Sequence, residues 1–193
     1  MRNGNRDFLA QFIRNPHTVG AVLPSSKALA RAMLEPVDFD TLSTIVEFGP
    51  GIGAITQEIL QRLSGNQRYF GFEINPNFLQ QLRQRFPNQT FIGKPASEIA
   101  QVLRASQIET IDAVICGLPW ASLPISEQSK TLEATISCLK PGGRFITFAY
   151  LQGLILPAAR ALRRRLNENF STVSRTRIVW QNIPPAFAYV CVK

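Results

Sequence analysis

The chain has a single histidine, and its three cysteines, Cys116, Cys138 and Cys191, lie far apart in apolar surroundings. No C-x-x-C pair or Cys/His spacing joins them, so no zinc-ligand pattern is present. The cysteines read as small core hydrophobes of a reduced, cytoplasmic setting. Long hydrophobic runs are also missing. A bilayer span needs about 18 apolar residues, and the nearest stretch, Phe145 to Ala159, is interrupted by Gly153 and Pro157. The opening MRNGNRDFLAQF lacks the apolar segment of a signal peptide. Repeats, low-complexity segments and linkers are absent too. Negative charge is scarce, with 13 Asp and Glu against 21 Lys and Arg, a net charge of +8.

What is present suits a folded α/β domain. The hydrophobic fraction is 45% and the charged fraction 18%, a globular composition. A length of 193 residues fits one domain with a full core, spanning 1–193, in which 1–40 form a helical cap and a candidate membrane-docking segment. Among the basic residues 16 are Arg and 5 Lys. An Arg-rich basic surface meets phosphate, on nucleic acid or on an anionic membrane.

Hydrophobic periodicity predicts helices at residues 7–14, Lys27–Leu34, Ile52–Leu63, Pro76–Arg85, Ser97–Ala105, Ser126–Cys138 and Pro157–Asn169. It predicts strands at Thr44–Phe48, Arg68–Glu73, Thr90–Ile92, Ala113–Cys116, Arg144–Tyr150, Arg175–Gln181 and Ala188–Val192. Strands alternating with helices imply a doubly wound, Rossmann-like sheet of seven strands, mostly parallel. The last two strands have no helix between them, so they should pair antiparallel at one edge. Ligands of such sheets bind at the carboxyl ends of the strands. Glu47 to Gly53, Glu73, Gly117 to Trp120 and Tyr150 all map there.

Glu47-Phe48-Gly49-Pro50-Gly51-Ile52-Gly53 is the most informative of these segments. Glycines after a strand let the backbone turn tightly and approach a ligand. Gly49, Gly51 and Ala54 also satisfy the dinucleotide fingerprint, and Glu73, 20 residues beyond Gly53, suits ribose hydroxyls in either case. Spacing alone leaves NAD and S-adenosylmethionine both open. Glu47 tips the balance, because a carboxylate there repels a pyrophosphate but suits a ligand carrying an amino group. The expected cofactor is S-adenosylmethionine, with S-adenosylhomocysteine as product.

Asp112 to Cys116 reads as the fourth strand, and Gly117-Leu118-Pro119-Trp120 as its loop. The loop resembles the (N/D)-P-P-(Y/F) and N-L-P-Y loops of methyltransferases that modify amino nitrogens, with Gly117 in place of the leading Asn or Asp. Trp120 keeps an aromatic wall, and a cation over a Trp face gains roughly 0.5–2 kcal/mol. Lys140-Pro141-Gly142-Gly143-Arg144 reads as the structural turn into the fifth strand.

The segment His17 to Ser26, with Gly20-Ala21-Val22-Leu23-Pro24-Ser25-Ser26, is followed in order by Val46 to Gly51, Gly117 to Trp120 and Asn182-Ile183-Pro184-Pro185-Ala186-Phe187-Ala188-Tyr189. Together they resemble the bacterial phospholipid N-methyltransferases, which are similar in fold to the rRNA adenine dimethyltransferases. The resemblance implies a class I methyltransferase fold and stepwise methylation of phosphatidylethanolamine toward phosphatidylcholine. It also implies a cytoplasmic protein docked peripherally on the anionic inner face of the membrane. Nucleic acid is not an expected partner, although an rRNA adenine N6-dimethyltransferase-like activity is the alternative. The implied cofactor site comprises Glu47, Gly49, Pro50, Gly51, Gly53, Glu73, Ile74, Ala96, Ser97 and Gly117. Ala96 and Ser97 stand where many relatives carry a Gly-Asp-Ala segment near the adenine, here altered to Lys94-Pro95-Ala96.

Methyl transfer needs a neutral amine lone pair aligned with the methyl carbon, and no covalent nucleophile. Tyr150 and Tyr189 are the candidates for positioning it, beside Trp120. His17 follows Asn15-Pro16 in a turn, where a surface histidine needs no special role. Residues 151–193 carry seven basic side chains against Glu168 alone. Arg160, Arg163, Arg164 and Arg165 there accompany Leu154, Ile155, Leu156 and Leu162, a combination suited to an anionic lipid surface.

Overall fold

The computed structural model describes residues 26–120 and 123–193. The helix expected at 7–14, His17 and the residues up to Ser25 lie outside the described residues. Ser26 opens helix α1 (Lys27–Leu34), its hydroxyl accepting the Leu29 N–H at 3.2 Å, as its cap-forming chemistry predicts. The remaining helices are α2 (Ala54–Leu60), α3 (Pro76–Arg85), α4 (Ile99–Ala105), α5 (Ile125–Cys138) and α6 (Pro157–Asn169). Helix α3 starts where it does because the Asn75 side chain accepts from Asn77 N and Phe78 N, with Pro76 in the first turn.

Seven strands, β1 (Thr44–Phe48), β2 (Arg68–Phe72), β3 (Thr90–Ile92), β4 (Ile111–Cys116), β5 (Leu139–Tyr150), β6 (Thr172–Arg175) and β7 (Ala186–Val192), form one sheet in the order β3-β2-β1-β4-β5-β7-β6. Strands β1 to β5 pair in parallel, and β7 runs antiparallel to both β5 and β6. The expected mostly parallel sheet and its antiparallel pair at one edge are both present. The reversed strand is the inner member of that pair.

Side chains alternate across each strand, and here both faces are covered. Val46, Phe48, Phe72, Val114 and Phe145 face Ile99 and Leu103 of α4, Leu132 of α5, and Leu162 and Leu166 of α6. Ile45, Tyr69, Ile115 and Ile146 face Leu29 and Met33 of α1, Ile55 and Ile59 of α2, and Leu82 of α3. Burying one such side chain contributes roughly 1.5–3 kcal/mol, so each face has a core of its own. Away from the ligand end, Asp112 Oδ2 accepts the N–H groups of Ser43 and Thr44, each at 2.8 Å, and Oδ1 meets Lys140 Nζ. That carboxylate ties the start of β1 to β4 and β5.

Strands β2, β4 and β7 differ from the sequence reading by one or two residues at an end, β5 and β6 by more. Strand β5 begins at Leu139, so Lys140 to Gly143 belongs to the strand: Leu139 pairs with Ile111, and Gly142 N and Gly143 O exchange 3.0 Å bonds with Lys193. Strand β6 lies at Thr172–Arg175, where Arg175–Gln181 was expected. Thr176 N still donates to Ala188 O at 2.9 Å, but the Ala188 N–H goes to the Thr176 hydroxyl at 2.9 Å, and the next pairing with β7 is at Val179, opposite Ala186. From the Arg175–Tyr189 pair to that bridge four residue steps oppose three, the count of a one-residue bulge.

Candidate functional site

The ends of β1, β2 and β4 are laced together one residue beyond the strands. Gly49 N donates to Phe72 O at 2.9 Å, Gly117 N to Phe48 O at 2.8 Å, and Glu73 N to Ile92 O at 3.0 Å. Two glycines are required by this closeness. A Cβ on Gly117 would stand 2.9 Å from Gly49 O, and Gly49 itself has φ +67°. Gly51 has φ +56° with open space where a Cβ would point, so the tip of the loop faces an accessible volume. Pro50 and Gly53 are buried beneath it.

Glu73 stands at the end of β2, 6% exposed. Its Oε2 accepts the Gly51 N–H at 3.0 Å and its Oε1 the Asn75 N–H at 2.8 Å. Burial raises its pKa, opposed by backbone hydrogen bonds from Asn75, Gly51 and Ile74. Each carboxylate oxygen keeps a lone pair beyond the bond it accepts here. The acid expected to meet a ribose thus also holds the tip of the glycine loop.

Glu47 sits differently from the expectation. The alternation of β1 turns its side chain onto the α1–α3 face, where it has no exposed surface. Oε2 accepts from Thr56 Oγ1 at 2.7 Å and from Tyr69 OH at 2.5 Å, while Oε1 is buried without a partner. Burial lifts its pKa to about 7, against those two hydrogen bonds, and the charge of Glu73 adds to the rise. Burial, with the charge of Glu47, holds the Tyr69 phenol well above its usual range. The carboxylate underlies the glycine loop and does not line its open side.

The aromatic candidates do not converge. Trp120 is 2% exposed; its Nε1–H donates to Cys116 Sγ at 3.0 Å and its ring meets Phe145 edge-on at 5.6 Å. Where an aromatic wall was expected, the indole anchors the loop into the α4–α6 face. Tyr189 lies on that same face, beside Thr147 on β5, with its hydroxyl buried and unpartnered. Tyr150 is half-buried on the opposite face, against Phe148. Burial raises the pKa of both phenols, that of Tyr150 to about 12. Ala96, with Ser97 beside it in a short 3-10 turn that packs on α5, joins Leu118 at the edge of the α4–α6 core. Two separate segments of the sequence motif also meet: Ser26 N donates to Asn182 Oδ1 at 3.0 Å, and Asn182 Nδ2 to Pro184 O at 2.7 Å.

Sequence reading missed Thr56 and Tyr69, which grip Glu47, and Gln128, which grips the β4 loop. The signal for Gln128 was available: it is a polar residue in the inward stripe with Thr131, Leu132 and Thr135. Such a residue must find hydrogen-bond partners.

Comparison with known proteins identifies the family and the fold. A family model described as a methyltransferase domain matches residues 45–143. Over 187 residues the chain is 28% identical to the ornithine lipid N-methyltransferase of Singulisphaera acidiphila, covering 95% of this chain and 93% of that one. The magnesium protoporphyrin IX methyltransferase of Synechocystis PCC 6803, solved with bound SAM, is similar in fold, with TM-score 0.64 at 14% identity over 100% of this chain and 85% of that one. An rRNA methylase from Streptococcus thermophilus gives TM-score 0.61 at 20% identity, covering 85% and 93%.

Proposed function

The chain belongs to the methyltransferase-domain family, and from that premise we propose that it transfers a methyl group from S-adenosylmethionine to the amino headgroup of a lipid. The observation carrying the lipid reading is the near full-length similarity to an ornithine lipid N-methyltransferase. Phosphatidylethanolamine, methylated stepwise toward phosphatidylcholine, is the proposed substrate on the strength of the sequence motifs.

The residues present fit the cofactor. Glu73 retains acceptor capacity for two vicinal hydroxyls while held by two backbone N–H groups. No Cβ occupies the space above Gly51. Gly49, Pro50, Gly51, Gly53, Glu73 and Ile74 would hold the ligand, with Ala96 and Ser97 toward its base and Gly117 between cofactor and acceptor. S-adenosylmethionine supplies a sulfonium-activated methyl group when bound. Glu47 acts from beneath, holding Thr56 and Tyr69 under the loop that carries Gly51.

The chain itself contributes placement. The loop from Gly117 to Trp120 faces the acceptor amine, and Trp120 serves as its anchor. Tyr189, its hydroxyl buried and unpartnered in the α4–α6 core beside Thr147, backs the sheet and does not reach the headgroup. Tyr150 positions from the opposite side of the sheet end. The amine releases its proton to water or to headgroup oxygen.

Among the described residues no helix is long and apolar enough to cross a membrane. The proposed location is the inner, anionic membrane face, reached through Arg160, Arg163 and Arg164 and the exposed Ile155 and Leu156 at the head of α6. The test is transfer from labelled S-adenosylmethionine offered vesicles of phosphatidylethanolamine, vesicles of ornithine lipid, and unmodified rRNA. Label in either lipid supports the reading and identifies the headgroup. Label in RNA alone sinks it in favour of the adenine alternative.

A further inference from the structure

Gln128 lies on the buried stripe of α5, 6% exposed. Its Nε2 donates to Trp120 O at 2.7 Å and to Leu123 O at 2.9 Å, and its Oε1 accepts from Arg165 Nη1 at 2.6 Å. The arginine fixes the amide's orientation. A guanidinium has only donors, so the atom facing Arg165 must be the oxygen and the amide NH2 must face the loop. Arg165 is half-buried in doing this, whereas Arg163 and Arg164 beside it are exposed. Both ends of Gly117 to Trp120 are therefore held. Gly117 N is bonded to Phe48 O at 2.8 Å, and Trp120 is held through its carbonyl by α5 and through its indole by Cys116.

We propose that Gln128 and Arg165 are positioning residues that set the loop after β4 against the acceptor amine, acting through the Trp120 and Leu123 carbonyls. The inference rests on reading that loop as the amine-facing one. In-line transfer tolerates little misplacement: about 1 Å costs on the order of 100-fold in rate. A core helix, a basic helix and the loop thus form one relay: guanidinium to amide oxygen, amide NH2 to two carbonyls.

Two readouts test it. On phosphatidylethanolamine and ornithine lipid vesicles, Gln128→Leu is expected to lower kcat/KM at least tenfold, with the lipid KM raised and the S-adenosylmethionine Kd changed less than twofold. Arg165→Met should do the same more mildly, and Arg165→Lys, which keeps a donor, should recover part of the loss. The second readout needs no substrate. The chain has two tryptophans, so Trp180→Phe leaves Trp120 as the only tryptophan for selective excitation, and Gln128→Leu in that background should increase acrylamide quenching severalfold. Wild-type kcat/KM with unchanged quenching overturns the proposal, as does a cofactor Kd that collapses in parallel with activity. If Gln128→Leu does not fold, Arg165→Met carries both readouts with the same criteria. If the wild type labels neither lipid, the functional reading fails and quenching alone decides the clamp: protection retained overturns it, protection lost supports it.

Discussion

The carboxylate of Glu73 accepts the backbone N–H of Gly51 at 3.0 Å, so an acid on one strand end holds the tip of the loop on the next. A second bond, from Asn75 N, fixes the same carboxylate to the start of α3. Loop shape and, on the function proposed above, cofactor recognition consequently depend on one side chain.

Gly51→Ala separates these roles. Its φ of +56° makes any L side chain strained by about 1–2 kcal/mol, yet the added Cβ meets no protein atom within 4 Å. The expected result is a drop of a few degrees in Tm and at least a tenfold rise in S-adenosylmethionine Kd by calorimetry. Glu73→Gln keeps the shape but places a donor against one of the two N–H groups, and should weaken the cofactor to a similar extent. An unaltered Kd in both variants would remove the loop from the cofactor site.

Glu47 predicts a pH dependence with a definite sign. Its folded pKa of about 7 lies above the ordinary 4.5, so between those values the folded chain binds a proton that the unfolded chain releases. Stability is therefore greatest below the unfolded pKa and falls as pH rises toward 7, by on the order of 3 kcal/mol in all. Glu47→Gln should flatten this slope in urea titrations from pH 5 to pH 8. A wild-type slope that survives the substitution would assign the effect elsewhere.

Arg163 and Arg164 are exposed, and Arg164 is lightly paired with Glu168 at 3.6 Å, whereas Arg165 is engaged with Gln128. Each basic group at an anionic surface contributes about 1 kcal/mol. Replacing Arg163 and Arg164 with Glu should weaken sedimentation with phosphatidylglycerol vesicles at least tenfold at low salt and spare cofactor affinity. Vesicle binding that persists would move the membrane face away from α6.

Much of this architecture is legible in the sequence because local chemistry and tertiary contacts agree. Asn75-Pro76 starts α3 where cap and first-turn preferences put it, and Ser26 does the same for α1. The misplacement of β6 has a local cause, a threonine hydroxyl taking a ladder hydrogen bond, which no hydrophobic alternation reveals. The placement of the glycine turn and of Glu73 at neighbouring strand ends is legible, because it depends on backbone conformation and spacing. The face on which Glu47 or Trp120 lies is less so. In Glu47 the period-2 alternation of β1 decides it; in Trp120 it depends on Cys116 at the end of β4 and on Phe145, brought near by β5. That Gln128 needed partners was legible from its place in the inward stripe of α5, but which partners was not, because two are backbone carbonyls and the third, Arg165, lies 37 residues away.

The contact between Gly117 and Gly49 has an evolutionary consequence. The amine-methylating loops that this one resembles open with Asn or Asp, but here any Cβ at position 117 would come within 2.9 Å of the Gly49 carbonyl and 3.3 Å of that of Phe48. A single substitution to Asn meets backbone on two sides, so that amide can be acquired only if the turn at Gly49 changes as well. Any side chain at position 117 is thus tied to the path of the backbone at positions 48 and 49, and the two segments must change together.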